Sequence, residues 1–409
     1  MTVPKHWQIV ELREVAFVQT GFAKGKVISG ESVRLPYLRV ANVQDGFLDL
    51  SEIKEVEVAP YEIERFRLQI GDVLLTEGGD FDKLGRGTLW RGEITNCLHQ
   101  NHIFAVRTSQ EFLEPLFFSY QTASPYGRKY FLECSKQSTN LASINSTQLK
   151  EFPVLLPPLA EQRAIAAILS TWDEAITLTK RLIAALRQRK QALMQILLTS
   201  EVRFPGFEGD SWSTIQLKDG FDRITRPIIE ELKDVLSITA TKGFVDQKSK
   251  FGRTIAGKNL GRYIHLKHGE FAYNKGNSNS YPQGCIYRLE EFQEGAVPNV
   301  YYCFSARPNT AIGGYFKYYF ESGALNEQLS SLINSGVRND GLLNLSADSF
   351  FDVEISVPPL LVQERIATVL SYADDAIKDI TQLLDAVKAQ KRGLMQQLLT
   401  GAIRVQVEE

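Results

Sequence analysis

One long segment of this chain occurs twice: residues 157–200 and 358–401 align without a gap, and about 20 of roughly 44 positions are identical. The first copy begins PPLAEQRAIAAILSTWDEAI and ends RKQALMQILLTS; the second begins PPLLVQERIATVLSYADDAI and ends QKRGLMQQLLTG. The paired prolines end an extended segment and suit only the start of a helix, while Ser200 and Gly401 close the runs, so each copy is expected to be a helix. Apolar residues recur along both at helical spacing: Ile165, Leu169, Trp172, Ile176, Leu182, Leu186 and Leu193 in the first, and Ile366, Leu370, Ile377, Leu383, Val387 and Leu394 in the second. A helix of about 40 residues is roughly 60 Å long, more than a small domain is wide, so neither stripe can be hidden within its own module. A single such helix would ordinarily pack on the domain beside it. Two near-identical stripes in one chain are more economically buried against each other, as an antiparallel coiled coil with a pseudo-two-fold relation between the halves.

The intervening segments diverge but share punctuation. Trp7 with Leu12, and Trp212 with Leu217, open the two at the same spacing. An apolar run and turn follow (YLRVANVQDG, VLSITATKGF), then a Gly-acidic turn into a strand (LQIGDVLLTEGG, LKHGEFAYNKGN), an aromatic stretch (FLEPLFFSYQ, YFKYYFESG), and a polar loop with a short strand into Pro-Pro. The expected organisation is a module over 1–156, a spacer helix over 157–200, a second module over 201–357, a second spacer over 358–401 and a tail over 402–409. Each module reads as a β-rich mixed domain, giving an α/β (α+β) chain with an internal repeat.

A length of 409 residues exceeds what one core usually organises. No run approaches the roughly 20 apolar residues of a membrane span, and Met1 to Val10 carries no charged-then-apolar leader, so a cytoplasmic protein without membrane contact is expected. Cys97, Cys134, Cys285 and Cys303 are too scattered for a metal knuckle or a redox pair. The pairs His99/His102 and His265/His268 are not accompanied by a carboxylate or cysteine in a recognisable metal-ligand pattern, so no metal is expected. Gly252 to Asn259 has the spacing of a phosphate-binding loop, but Asn259 stands where a magnesium-binding hydroxyl belongs, and a basic surface loop is the better reading. Neither a glycine-rich cofactor loop nor an Asn/Asp-Pro-Pro-aromatic motif occurs, since leucine follows both Pro-Pro pairs. The net charge of −2 weakens a simple nucleic-acid reading, since such domains often carry a strong positive excess, but does not exclude one, because local basic faces can bind phosphates beside acidic ones.

At PPLAEQ from Pro157, PPLLVQ from Pro358 and the endings LMQILLTS and LMQQLLTG, the chain resembles the specificity subunits of type I restriction-modification systems over essentially its whole length. YLRVANV and FAYNKGNS also resemble segments of that family's recognition domains. Glu161-Gln162 is the family's common pair, from which Val362-Gln363-Glu364 departs slightly. The resemblance implies two target recognition domains, each reading half of a bipartite, asymmetric double-stranded DNA site, with the helices as a ruler. It further implies two modification subunits that supply adenine methylation, and restriction subunits that supply translocation and cleavage. S-adenosylmethionine, ATP and magnesium would then belong to those partners and no cofactor to this non-catalytic chain.

Reading bases needs amides, guanidiniums or hydroxyls on base edges and cations on phosphates. Loops rich in those groups are the candidates: Arg39, Asn42, Lys83, Arg86, Lys136, Ser138, Thr139, Asn140 and Asn145 in the first module, and Lys242, Asn274, Lys275, Asn277, Ser278, Arg338 and Asn339 in the second. Such residues also satisfy turns, which is the competing reading of each. The rival function is a coiled-coil scaffold that assembles enzymes without reading DNA.

Overall fold

In the computed structural model of the protein the described residues are 3–23, 25, 30–79, 84–137, 142–229, 232, 234–239, 242–251, 257–276, 281–333 and 342–406. Four helices carry the account: α1 (Pro115–Ala123), α2 (Leu159–Leu198), α3 (Gly313–Glu321) and α4 (Leu360–Leu398). Two compact units form, one from residues 1–180 and 382–409, the other from 181–381. Both cuts fall inside the long helices. The reason lies in the cores: each unit holds a module, the start of that module's own helix and the last turns of the other helix.

In unit 1 a four-stranded antiparallel sheet runs in the order Ala16–Thr20, Ile103–Thr108, Val73–Thr76, Gly87–Leu89. A second sheet joins Lys54–Val58, Val33–Leu38 and the short Leu98–His99. Gln8–Glu11 pairs with Pro153–Leu156, the strand that leads into Pro157 and Pro158, so the module's first and last strands close it beside α2. The core joins Trp7, Leu12, Phe117, Phe118 and Phe152 from the module, Ile165 and Leu169 from α2, Met395 and Leu398 from α4, and Leu399 just beyond it. Each of those buried aliphatic side chains contributes about 1.5–3 kcal/mol, so the last turns of α4 stabilise the unit substantially. Contacts with the end of the second repeat descend as α2 ascends: Glu161 meets Arg404, in the tail beyond α4, and Asp173 meets Lys391 of α4. The two helices therefore run antiparallel here.

Unit 2 repeats the plan with different filling. Its four-stranded sheet runs Phe221–Ile224, Tyr302–Ala306, Phe271–Asn274, Cys285–Arg288, and Ser213–Gln216 pairs with Glu354–Val357 to close the module. Met194, Leu197 and Leu198 from α2 join Leu217, Phe304 and Phe351 of the module and Ile366 and Leu370 of α4. The paired landmarks are equivalent in detail, because the Leu12 amide donates to Phe152 O at 2.9 Å and the Leu217 amide to Val353 O at 2.8 Å.

Along α2 the residues stepping by four and three, from Ile165 through Leu169, Trp172, Ile176, Thr179, Ile183, Leu186, Lys190 and Leu193 to Leu197, are buried or half-buried throughout, and the series from Ile366 to Leu398 in α4 matches it. Leu182 and Leu383, expected in the seam, are 47% and 50% exposed, whereas Ile183 and Leu384 are 7% and 8% exposed. Seven residues beyond Ile176 is Ile183, and a neighbour one residue earlier points about 100° away. Ile377, Val387 and Leu394 lie half-buried, as the expected stripe requires.

Candidate nucleic-acid interface

In both units the fold brings two separate candidate loops together. Lys136–Gln137 pairs with Ala142–Ser143, which pairs in turn with Gly78–Gly79, so the closing loop of the first module lies against the glycine turn that precedes Lys83. Gly78 is required for this approach, since a Cβ there would meet Ala142 O at 2.7 Å. In unit 2, Gly276 bridges to Leu342 and the Leu343 amide donates to Lys275 O at 2.8 Å, which sets the Asn274 loop beside the closing loop. The juxtaposition survives although the two modules share little sequence here.

Single residues fare unevenly. Lys136 and Lys242 are exposed, as a phosphate contact needs. Asn42 is buried: its Oδ1 accepts from the Arg39 amide at 2.8 Å and its Nδ2 donates to Asp49 O and Glu52 O at 2.8 and 3.0 Å. It holds the loop and presents nothing to a base, so its expected role is corrected. Arg39 turns the same way, its guanidinium on Glu52 O at 3.0 Å and the Glu52 carboxylate at 3.2 Å. Arg86 donates to Gln44 Oε1 at 2.8 Å. Asn145 caps the short helix Ser146–Lys150 by accepting from the Gln148 amide at 2.9 Å. Asn274 accepts from the Gly276 amide at 2.9 Å, and Lys275 lies over the Tyr302 ring at 5.0 Å. The asparagines and Arg39 thus satisfy turns, a use that unpaired buried amides and carbonyls make obligatory, while Arg86 and Lys275 are engaged by other side chains. Lys83, Ser138, Thr139, Asn140, Asn277, Ser278, Arg338 and Asn339 lie outside the described residues, as does most of the Gly252–Asn259 loop.

The remaining reactive groups are engaged structurally. His99 is buried with Nδ1 at 3.0 Å from Phe66 O, and burial depresses its pKa, which keeps the ring neutral. His102 meets Glu77 at 2.5 Å and His265 meets Glu294 at 2.8 Å, one carboxylate each, and no group of three metal-ligating side chains occurs among the described residues. Burial pushes the thiols of Cys97 and Cys303 up to about 12 and that of Cys285 up to about 11, so they stay protonated and poorly nucleophilic.

Two sets of polar helix residues carry a structural role that the sequence did not disclose. Gln162, fully buried, accepts from the Glu114 amide at 2.9 Å and donates to Phe112 O and Pro157 O at 2.8 Å. Gln363 does the same for Ile312, Thr310 and Pro358 at 2.8, 3.0 and 2.8 Å. The second set comprises Asp173 with Lys391 and Asp374 with Lys190. The available signal was identity between the two copies at polar positions.

No described helix is long and apolar enough to cross a membrane. Residues 4–188 match the family described as the Type I restriction modification DNA specificity domain. The chain is 24% identical over 432 residues to the putative type I restriction enzyme MjaX specificity subunit of Methanocaldococcus jannaschii, covering 98% of this chain and 95% of that one. It is 30% identical over 132 residues to the type I restriction enzyme EcoKI specificity subunit of Escherichia coli, covering 32% of this chain and 28% of the other. Among solved structures it resembles the HsdS subunit of Thermoanaerobacter tengcongensis, with a TM-score of 0.51 at 16% identity over 98% of this chain and 99% of that one. A chain from the structural study of assembly and conformational transition in the type I R-M system aligns with a TM-score of 0.60 at 18% identity, covering 98% and 100%. With a duplicated module-and-helix plan along its whole length, the chain is similar from end to end to a type I restriction enzyme specificity subunit, and residues 4–188 carry the match to the specificity domain.

Proposed function

We propose that the two modules read the two halves of a bipartite, asymmetric double-stranded DNA target, each through the pair of loops that its fold brings together, with the long helices as the ruler between the halves. The repeated juxtaposition of a glycine turn with the closing loop carries this reading: two diverged sequences keep one loop arrangement, as two readers of different sequences would. Lys136 and Lys242 supply phosphate contacts, which position a protein on the duplex without selecting bases. The reading is tested by assembling the chain with its modification subunits and selecting from a random duplex library. Retention of a two-part motif, weakening as salt rises, is the expected outcome. Retention without sequence selection would leave the scaffold reading in its place. Lys136→Ala should weaken binding evenly across sequences and reduce the slope of log affinity against log salt by about 1.

Methyl transfer and strand cleavage fall to partner chains in this reading. Two modification subunits would carry S-adenosylmethionine, and the restriction subunits ATP and magnesium. Leu182 and Leu383, exposed at equivalent repeat positions, offer the same contact twice, which suits two copies of one partner. The Leu182→Asp/Leu383→Asp chain should fold normally, because both positions already face water, yet elute without modification subunits in size-exclusion chromatography. Unaltered co-elution would remove the leucines from the docking surface.

A further inference from the structure

One lysine in each unit occupies a seam position where a coiled coil calls for an apolar side chain. In unit 2, Lys190 of α2 has a side chain only 12% exposed and sits 2.8 Å from both Asp374 Oδ1 and Glu321 Oε1. Its ammonium lies 5.1 Å from the centre of the Tyr318 ring, and Tyr318 of α3 donates to Asp374 Oδ2 at 2.8 Å. In unit 1, Lys391 of α4, 15% exposed, meets Asp173 Oδ1 at 2.5 Å and lies 5.0 Å from the Tyr120 ring centre. Tyr120 of α1 donates to Asp173 Oδ2 at 2.7 Å. Each joint thus ties three elements: a module helix, the start of that module's own long helix and the last turns of the other.

The lysines and aspartates are identical between the repeat copies, and the tyrosines hold corresponding places in modules that otherwise diverge. Stability alone does not account for this. Replacing a buried ion pair with well-packed apolar residues is often neutral or stabilising, whereas fixing register is the best-attested use of a polar seam residue. The apolar contacts around each joint are non-directional and tolerate small rotations, but the ammonium, carboxylate and phenol meet in one geometry only. Unit 2 adds Lys317, which reaches Asp374 Oδ2 at 3.2 Å and Glu290 at 2.8 Å. Burial would raise the Asp374 carboxyl, but Lys190, Tyr318 and Lys317 outweigh it and hold the group below its ordinary value, so the joint is charged at neutral pH.

We propose that the two Tyr-Asp-Lys joints set the angle and register at which each module sits on its helices, and are positioning residues that hold the gap of the two-part DNA target to a single length. The proposal rests on the bipartite reading above and assigns to these six residues a part of it that touches no DNA.

The unit 1 joint is the cleaner to test, since Asp374 and Lys190 have additional partners. In the complete methyltransferase complex, methyl transfer is measured on duplexes carrying both half-sites with the gap shortened or lengthened by a base pair, beside the thermal midpoint and the preference for each half-site. Lys391→Met should keep the midpoint and the half-site preferences while losing about tenfold in discrimination between the native gap and its neighbours. Tyr120→Phe, which removes one hydrogen bond and no charge, should relax the gap in the same direction. It carries the test if Lys391→Met fails to fold. The exchanged pair Asp173→Lys/Lys391→Asp should recover part of the discrimination, a rescue that a purely structural role does not predict. Wild-type gap discrimination in folded Lys391→Met and Tyr120→Phe complexes would overturn the joints alone. A wild-type complex indifferent to the gap would overturn the bipartite reading itself, and the proposal with it.

Discussion

Gln162→Leu is expected to destabilise unit 1 by about 3 kcal/mol or more, although leucine fills nearly the same space. The glutamine is fully buried, and its amide answers three backbone groups: the Glu114 amide and the carbonyls of Phe112 and Pro157. Leucine would orphan all three, each at about 1–3 kcal/mol, while creating little cavity. Gln162→Glu keeps the acceptor but loses both donated bonds and buries a charge, so it too should be destabilised. Gln363→Leu should do in unit 2 what Gln162→Leu does in unit 1, because its three partners are the equivalent groups. Urea unfolding monitored by fluorescence measures the shift, and a midpoint unchanged from wild type would show that water replaces the lost partners. The functional consequence is specific, since these amides pin the start of each long helix to the loop preceding α1 or α3. A damaged pin should weaken recognition of one half-site before the other.

Inserting seven residues after both Leu186 and Val387 is expected to lengthen the unread gap in the DNA target by about three base pairs, leaving both half-sites unchanged. Seven residues add roughly 10 Å of helix, and the DNA repeat of about 34 Å per ten base pairs converts that length. The four-and-three seam repeats every seven residues, so the insertion preserves which side chains face inward. A single turn of four residues would instead rotate everything beyond it by about 40° and drive the seam out of register. Both insertion points lie between the joints, after Asp173 and before Lys190 on α2, and after Asp374 and before Lys391 on α4, so neither joint is interrupted. Sequencing the methylated bases of cells carrying the altered system reads the gap directly. A motif with its original gap would show that the helices do not measure it.

Much of this organisation could be read from residue order. Local rules were enough for the paired helices, because a 3.6-residue period and terminal Pro-Pro and Thr-Ser/Gly signals act within a few turns. The shared Trp-Leu openings and closing strands were equally legible, since Leu12 and Leu217 are fully buried and make the same backbone contact. Loop chemistry was less so. Arg39 and Asn42 have the composition of a DNA contact, yet the loop around them engages the Asn42 amide and turns the Arg39 guanidinium inward onto Glu52, and composition does not reveal whether a neighbouring carbonyl is already satisfied. The choice between Leu182 and Ile183 turned on a 100° rotation that two adjacent apolar residues leave open until the opposing surface is known.

The sequence by itself determined the duplication, the two long helices, the frame of each module and the family resemblance, all of which rest on short-range periodicity or on residues matched one to one. Only the tertiary structure decided that each core is completed by the end of the other repeat's helix, that Gln162 and Gln363 serve as pins, and that Lys190 and Lys391 belong in an apolar seam. The physical reason is that a polar side chain among apolar ones is unfavourable unless a partner distant in sequence satisfies it. The pairs 173 with 391 and 190 with 374 are made by antiparallel packing, to which no local pattern points.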